Sequence, residues 1–121
     1  MNLVYIMSDQ HNRQLLGCDG HPTVQTPHLD ALAAGGVRFA TAYTPCPICV
    51  PARASLATGR YVHQIGYWDN GTPYDGRGPS WGHRLVQQGF SVTTIGKLHY
   101  RGVEDDTSFP DQRLPMHVHG G

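Results

Sequence analysis

Three short stretches hold side chains able to attack, bond or coordinate. The first is Cys49-Val-Pro-Ala-Arg53, continuing through Leu56 to Thr58-Gly59-Arg60. Pro51 suits the first position of a helix, where its missing N–H would be unpaired in any case. Cys49 then lies at a helix N-terminus, where backbone N–H groups and the dipole favour an anion. A sulfate or phosphate ester fits that place. Arg53 is one turn on, on the face of Cys49, placed to bond either the cysteine or an anion beside it. The second stretch is Asp9-Gln10, two oxygen donors suited to a hard cation such as Ca²⁺, Mn²⁺ or Mg²⁺ rather than zinc. The third is Gly96-Lys97-Leu98-His99, which holds the only lysine of the chain. Strand alternation would put Lys97 and His99 on one side, facing one anion.

Each stretch also has a plainer reading. Asp-Gln after an apolar run is an ordinary turn, and a lone lysine is usually solvated. Cys46-x-x-Cys49 has the spacing of a redox pair or half a zinc site, but two prolines crowd it and no partner pair follows. His11, His21, His28 and His63 can line a pocket or decorate loops. His117-x-His119 has chelating spacing, and Cys18 and Cys46 read as ordinary thiols. Tyr61, Tyr67, Trp68 and Trp81 suit an aromatic wall, though packing explains such residues more often.

The elements that must position these groups can be read from apolar pattern and punctuation. Leu3–Met7 is a continuous apolar run, as in a strand buried on both faces. Thr26-Pro27 predicts a helix over His28–Ala34, stopped by Gly35-Gly36. Val37–Tyr43 alternates and predicts a second strand. Pro51–Thr58 predicts a short helix ended by Gly59. Residues 66–79 read as loop. Ser80 caps a helix over Trp81–Gln88, closed by Gly89, and Phe90–Ile95 is a third strand. Beyond Arg101 the pattern fades into acidic, Pro- and Gly-rich loop. Alternating strands and helices imply an α/β fold with a mostly parallel sheet flanked by helices. Ligands of such sheets sit outside the strands' carboxyl ends. Asp9-Gln10 and Lys97/His99 both fall where a strand ends.

Composition narrows the class. The chain has 121 residues, 39% hydrophobic and 15% charged, with zero formal net charge. That length suits one small domain, and the composition is not that of a disordered tail. The charge balance gives no case for nucleic acid, and the apolar runs are too short for a membrane span. Three cysteines are too few for a disulfide scaffold, and residues 1–8 lack the basic start and long apolar core of a secretory signal. A cytoplasmic, bacterial setting is the expectation.

Read from Cys49, the twelve-residue string resembles the signature of the type I sulfatases, members of the alkaline phosphatase superfamily. Ala52 departs from it, since serine is usual there. Asp9-Gln10 resembles the metal-binding pair of the phosphonate monoester hydrolase and choline sulfatase branches, and Gly96-Lys97-Leu98-His99 resembles the family's Gly-Lys-x-His. The resemblance runs from Leu3 to about Tyr100. It implies an alkaline-phosphatase-like fold, incomplete here, with residues 1–121 as the N-terminal part of a catalytic domain. It further implies that Cys49 is oxidised to formylglycine by a formylglycine-generating or equivalent maturation enzyme. One hydroxyl of the hydrated aldehyde attacks sulfur or phosphorus; the second drives release of the inorganic oxyanion. Asp9, Gln10 and residue 49 would ligate one divalent cation, with Arg53, Lys97 and His99 acting on the anion and the hydrate. The implied substrate is a small sulfate ester, or alternatively a phosphonate or phosphate ester. A non-catalytic fragment or binding module is the other alternative. The rest of the same enzyme chain is an expected partner, and a homo-oligomer is compatible with the resemblance.

Overall fold

The structure is a computed structural model that describes residues 2–118. The chain divides into two compact units, Met1–Ala42 and Tyr43–Gly121.

In the first unit, helix α1 spans Pro27–Gly35 with Thr26 as its N-cap and Pro27 in its first turn. The predicted boundaries agree to within a residue. Two 3₁₀ turns, Arg13–Leu15 and Gly17–Asp19, precede it. Thr26 and Asp30 stitch the second turn to the start of α1. The Gly17 N–H donates to Thr26 Oγ1 at 2.8 Å, the Cys18 N–H donates to Asp30 Oδ1 at 2.8 Å, and Thr26 Oγ1 donates to that same carboxylate oxygen. Asp19 pairs with Arg13 at 3.6 Å and also with Arg38.

The expected strands over Leu3–Met7 and Val37–Tyr43 are not formed among the described residues, which is a correction to the sequence reading. Both segments are open, with Ile6 86% and Tyr43 88% exposed. Their composition suits a central strand, but a strand exists only as part of a ladder. No neighbouring strand offers these segments its N–H and C=O groups among the described residues.

The second unit is built on helix α2, Cys49–Thr58. It starts two residues before Pro51, so Pro51 stands in the third position of the first turn. The proline is tolerated there for the reason given above, because first-turn N–H groups have no partner within the helix. Gly59 ends α2 at φ 67°, its N–H donating to the Ser55 carbonyl at 2.8 Å. Val50, Arg53, Ala54, Ser55 and Ala57 are buried along its inner side. They face a core of Tyr67, Tyr74, Val92, Tyr100 and Phe109. The aromatic rings meet edge to face, Tyr67–Tyr74 at 5.6 Å and Tyr74–Tyr100 at 5.1 Å, the arrangement their quadrupoles favour. A one-turn helix, α3, follows at Val62–Ile65, inside a stretch with no predicted element.

Helix α4, Trp81–Gln87, begins at Ser80 as expected. Ser80 Oγ accepts from the His83 N–H and donates to the Thr107 carbonyl at 2.9 Å, while the Ser80 N–H donates to His83 Nδ1 at 2.9 Å. Strand β1 is Thr93–Lys97, starting three residues later than the sequence predicts, because Gly89 and Phe90 are still turning off the end of α4. Its partner β2, Asp111–Met116, lies where only loop was expected. The two run parallel, Thr93 opposite Asp111 and Ile95 opposite Arg113, then slip so that Lys97 faces Met116. The extra residue lies on β2, where Leu114 turns at φ 49° just before Pro115. A bulge is a place where a sheet accepts a proline.

Candidate functional site

The signature residues are consecutive turns of one helix. Cys49 is the first residue of α2 and is half-buried. Ile48 precedes it with an extended backbone and no capping side chain. The cap comes from elsewhere: Asn70 Oδ1 accepts the Val50 N–H at 3.0 Å. Asp69 orders the turn that presents Asn70, its Oδ1 accepting from the Gly71 N–H at 2.9 Å and from Thr72 Oγ1 at 3.1 Å. Sequence reading passed over Asn70 as loop. The only signal was Asp-Asn-Gly, a turn-forming string twenty residues away.

Arg53 is one turn into α2 and only 7% exposed. One of its guanidinium nitrogens donates to the Lys97 carbonyl at 2.6 Å. The helix bearing Cys49 is thereby fastened to the carboxyl end of β1. A charged donor on a part-buried carbonyl is among the stronger hydrogen bonds. The far end of α2 is also held, by Thr58 Oγ1 on the Ala54 carbonyl at 2.8 Å and by Ser55 Oγ on the Arg60 carbonyl. The string from Cys49 to Arg60 therefore reads as a start, a clamp and a stop for one short helix.

Lys97 is the last residue of β1 and not beyond the strand as expected. Gly96 takes φ 88° and His99 φ 61°. For a non-glycine residue that left-handed backbone is uncommon and costs of order 1 kcal/mol or more unless the surroundings hold it. Here the His99 N–H donates to the Met116 carbonyl at 2.8 Å, and the Val118 N–H donates to the Tyr100 carbonyl at 2.9 Å. The turn at His99 breaks simple alternation, so backbone pairing with the end of β2 orients His99. Cys49, Arg53, Lys97 and His99 all belong to the second unit, where Arg53 and Lys97 are joined directly. Asp9 and Gln10 belong to the first unit, as an exposed turn in which Gln10 takes φ 53°.

The other candidates resolve as follows. His63 is exposed and stacks on Tyr61, ring centroids 5.7 Å apart. His21 Nδ1 accepts from the Thr23 and Val24 N–H groups and shapes a turn. His11 and His28 are exposed. His117 is buried, with Nε2 2.8 Å from Gln112 Oε1, while His119 lies outside the described residues. Tyr67 is a core residue; Trp81 is exposed on one side and lies edge-on to Phe109 at 5.0 Å, and Trp68 is exposed. Burial lifts the Tyr67 hydroxyl to about 12, helped by the Asp75 carboxylate that accepts its proton at 2.7 Å. Burial pushes the Asp75 carboxyl up, but the Tyr67 hydroxyl and Arg77 outweigh it and hold Asp75 below its usual range.

Among the described residues, no three His, Cys, Asp or Glu side chains group as a metal site. Asp9 and Gln10 fit a hard cation in donor type. They are two of the roughly six to eight oxygens that a calcium ion takes.

Comparison with known proteins gives a consistent answer. The family model described as Sulfatase matches residues 1–119. An N-acetylglucosamine-6-O-sulfatase of Bacteroides thetaiotaomicron is 34% identical over 81% of this chain and 18% of its own length. Human arylsulfatase A is 37% identical over 96% of this chain and 23% of its own. The choline-sulfatase of Rhizobium meliloti is 32% identical over 98% of this chain and 23% of its own. The crystal structure of yidJ from Bacteroides fragilis, described as a sulfatase, superposes with a TM-score of 0.76 at 33% identity, over 86% of this chain and 24% of that one. The chain thus spans roughly a fifth of the length of these relatives.

Proposed function

Since this chain belongs to the sulfatase family, we propose that it is part of an enzyme that hydrolyses sulfate esters through a formylglycine made from Cys49. The observation that supports this most directly is the placement of Cys49. It opens a helix whose N-terminus is capped by Asn70 and whose buried Arg53 is tied to Lys97 at the end of β1, two residues before His99. As a hydrate, formylglycine supplies one hydroxyl to attack sulfur and a second to expel inorganic sulfate. The residues around it have separate tasks. The positive end of the α2 dipole favours the anion, while the Val50 N–H is taken by Asn70. Lys97 supplies positive charge for the non-bridging oxygens, and His99 takes a proton from the hydrate hydroxyl. Arg53 keeps residue 49 at a fixed distance from both. Asp9 and Gln10 would hold a divalent cation (Ca²⁺, Mn²⁺ or Mg²⁺), and the remaining ligands would come from the rest of the enzyme chain. A formylglycine-generating or equivalent enzyme is the required maturation partner.

A second reading, hydrolysis of phosphonate monoesters or phosphodiesters, is favoured by Asp9-Gln10, where many sulfatases have two aspartates. Turnover of an aryl sulfate and of a phenyl phosphonate by the full-length protein separates the two. The proposal expects faster aryl sulfate turnover, lost to background in Cys49→Ala, and an intact mass showing residue 49 without its sulfur. Retention of more than about a tenth of wild-type turnover in Cys49→Ala overturns it.

A further inference from the structure

Cys46 has no task in that scheme, yet it stands three residues before the cysteine that must be converted. The chain bends at Pro47 and again at Ile48 before entering α2 at Cys49. Pro47 fixes its own φ, so part of the turn between the two cysteines is already set in the unfolded chain. The Thr44 hydroxyl holds the upstream limb, donating to the Cys46 carbonyl at 2.7 Å and accepting from the Cys46 N–H at 3.4 Å. The α2 end is held by Asn70. Both thiols are free and half-buried, screened in part from bulk reagents while close to each other along the chain. The third cysteine, Cys18, belongs to the other unit. Desolvation and the Asp30 carboxylate raise its thiol above the ordinary value, which makes it a poor competitor in exchange.

We propose that Cys46 is a reversible guard: before maturation it closes a disulfide onto Cys49, and a dithiol reductant must open it before residue 49 can be converted. This inference rests on the formylglycine reading above, since a guard matters only if a free Cys49 thiol is what the maturation enzyme needs. The oxidant is a low-molecular-weight disulfide such as glutathione disulfide. One cysteine thiolate attacks it, forming a mixed disulfide and releasing one glutathione thiolate. The second cysteine thiolate attacks the protein sulfur of that mixed disulfide, forming the Cys46–Cys49 bond and releasing the second glutathione. Two protein thiols are oxidised and one glutathione disulfide is reduced to two thiols. A dithiol of the thioredoxin type runs the same two steps in reverse.

The test uses the full chain expressed without a converting enzyme, equilibrated in glutathione buffers of graded oxidation, acid-quenched, alkylated and digested with trypsin. Cleavage after Arg38 and Arg53 leaves Cys46 and Cys49 on one peptide, without Cys18. The expected product is that peptide two hydrogens lighter than its reduced form and resistant to alkylation. In Cys46→Ser, Cys49 should instead carry glutathione. Closing the pair should need at least about tenfold less glutathione disulfide than forming that adduct, because the second thiol is three residues away on the same chain. Alkylation of both cysteines, or two separate glutathione adducts, overturns the guard. If the variant fails to fold, the wild-type digest decides alone. The failure of the formylglycine reading looks different: Cys49 then remains a thiol after co-expression with a converting enzyme under full reduction, whatever the glutathione digest gives.

Discussion

Arg53 directs its charge at a backbone carbonyl, and that choice makes the residue specific. A lysine at this place keeps the charge but loses the planar fork and reaches differently. Arg53→Lys should cost about 1–3 kcal/mol of stability, since the Lys97 carbonyl loses a charged donor in a part-buried setting. Urea unfolding checks the cost; an unchanged midpoint would mean that the clamp is not needed. Asn70→Ala removes the cap of α2 and should cost roughly 1 kcal/mol. Asn70→Asp, which keeps the acceptor, should recover most of that in the same assay. Cys49, Arg53, Lys97 and His99 were all singled out as candidates because their offsets within short strings are unusual. Asn70 was not, because a cap that acts across twenty residues leaves no mark in a local window.

At the scale of elements, the helices followed from punctuation and the strands did not. Thr26-Pro27 and Ser80 are local signals, and α1 and α4 start where those residues stand. Strand β2 has no alternation and contains Pro115, so nothing in its own sequence announces it; β1 makes it a strand by pairing. Leu3–Met7 shows the reverse, a strand-like composition with no ladder to join among the described residues. The loops bracing the core carry a testable load as well. Gly76 takes φ 86°, and a Cβ there would lie 2.2 Å from the Asp106 carbonyl oxygen. Gly76→Ala should therefore destabilise by more than about 1 kcal/mol, from left-handed strain plus a backbone clash. A thermal midpoint equal to wild type would contradict that. The Tyr67–Asp75 pair adds a pH signature. Burial, then Asp75, lifts the Tyr67 phenol from 10.0 to about 12. The protonated phenol favours the fold, so its contribution is complete below pH 10.0 and is lost as pH climbs through about 12. Tyr67→Phe should flatten the decline of the thermal midpoint over that window; parallel curves would show that the hydroxyl is not linked to folding.

For the whole molecule, the distribution of apolar surface is the main fact. Leu3, Val4, Ile6, Val37, Phe39, Ile95 and Leu114 are all exposed. Small stable domains seldom leave so much apolar surface open. Relatives four to five times longer have further chain with which to cover it. The 121-residue chain by itself should therefore self-associate and should show no aryl sulfate hydrolysis above background, even with residue 49 converted. Light scattering and a turnover assay check the two parts; a monomer with full activity would refute both. The likeness to longer proteins was legible only through the resemblance, since composition alone describes an ordinary small domain.

The slip between β1 and β2 carries one more consequence. Side chains of a strand change faces at every step, so a single surplus residue works as a half-turn of phase. The bulge takes up that half-turn, so Lys97 still faces Met116. A second residue inserted after Leu114 would carry everything beyond it one step on, and the carbonyl of Met116, which now steadies His99, would point elsewhere. A one-residue insertion far from Cys49 in sequence would thus be felt at the imidazole.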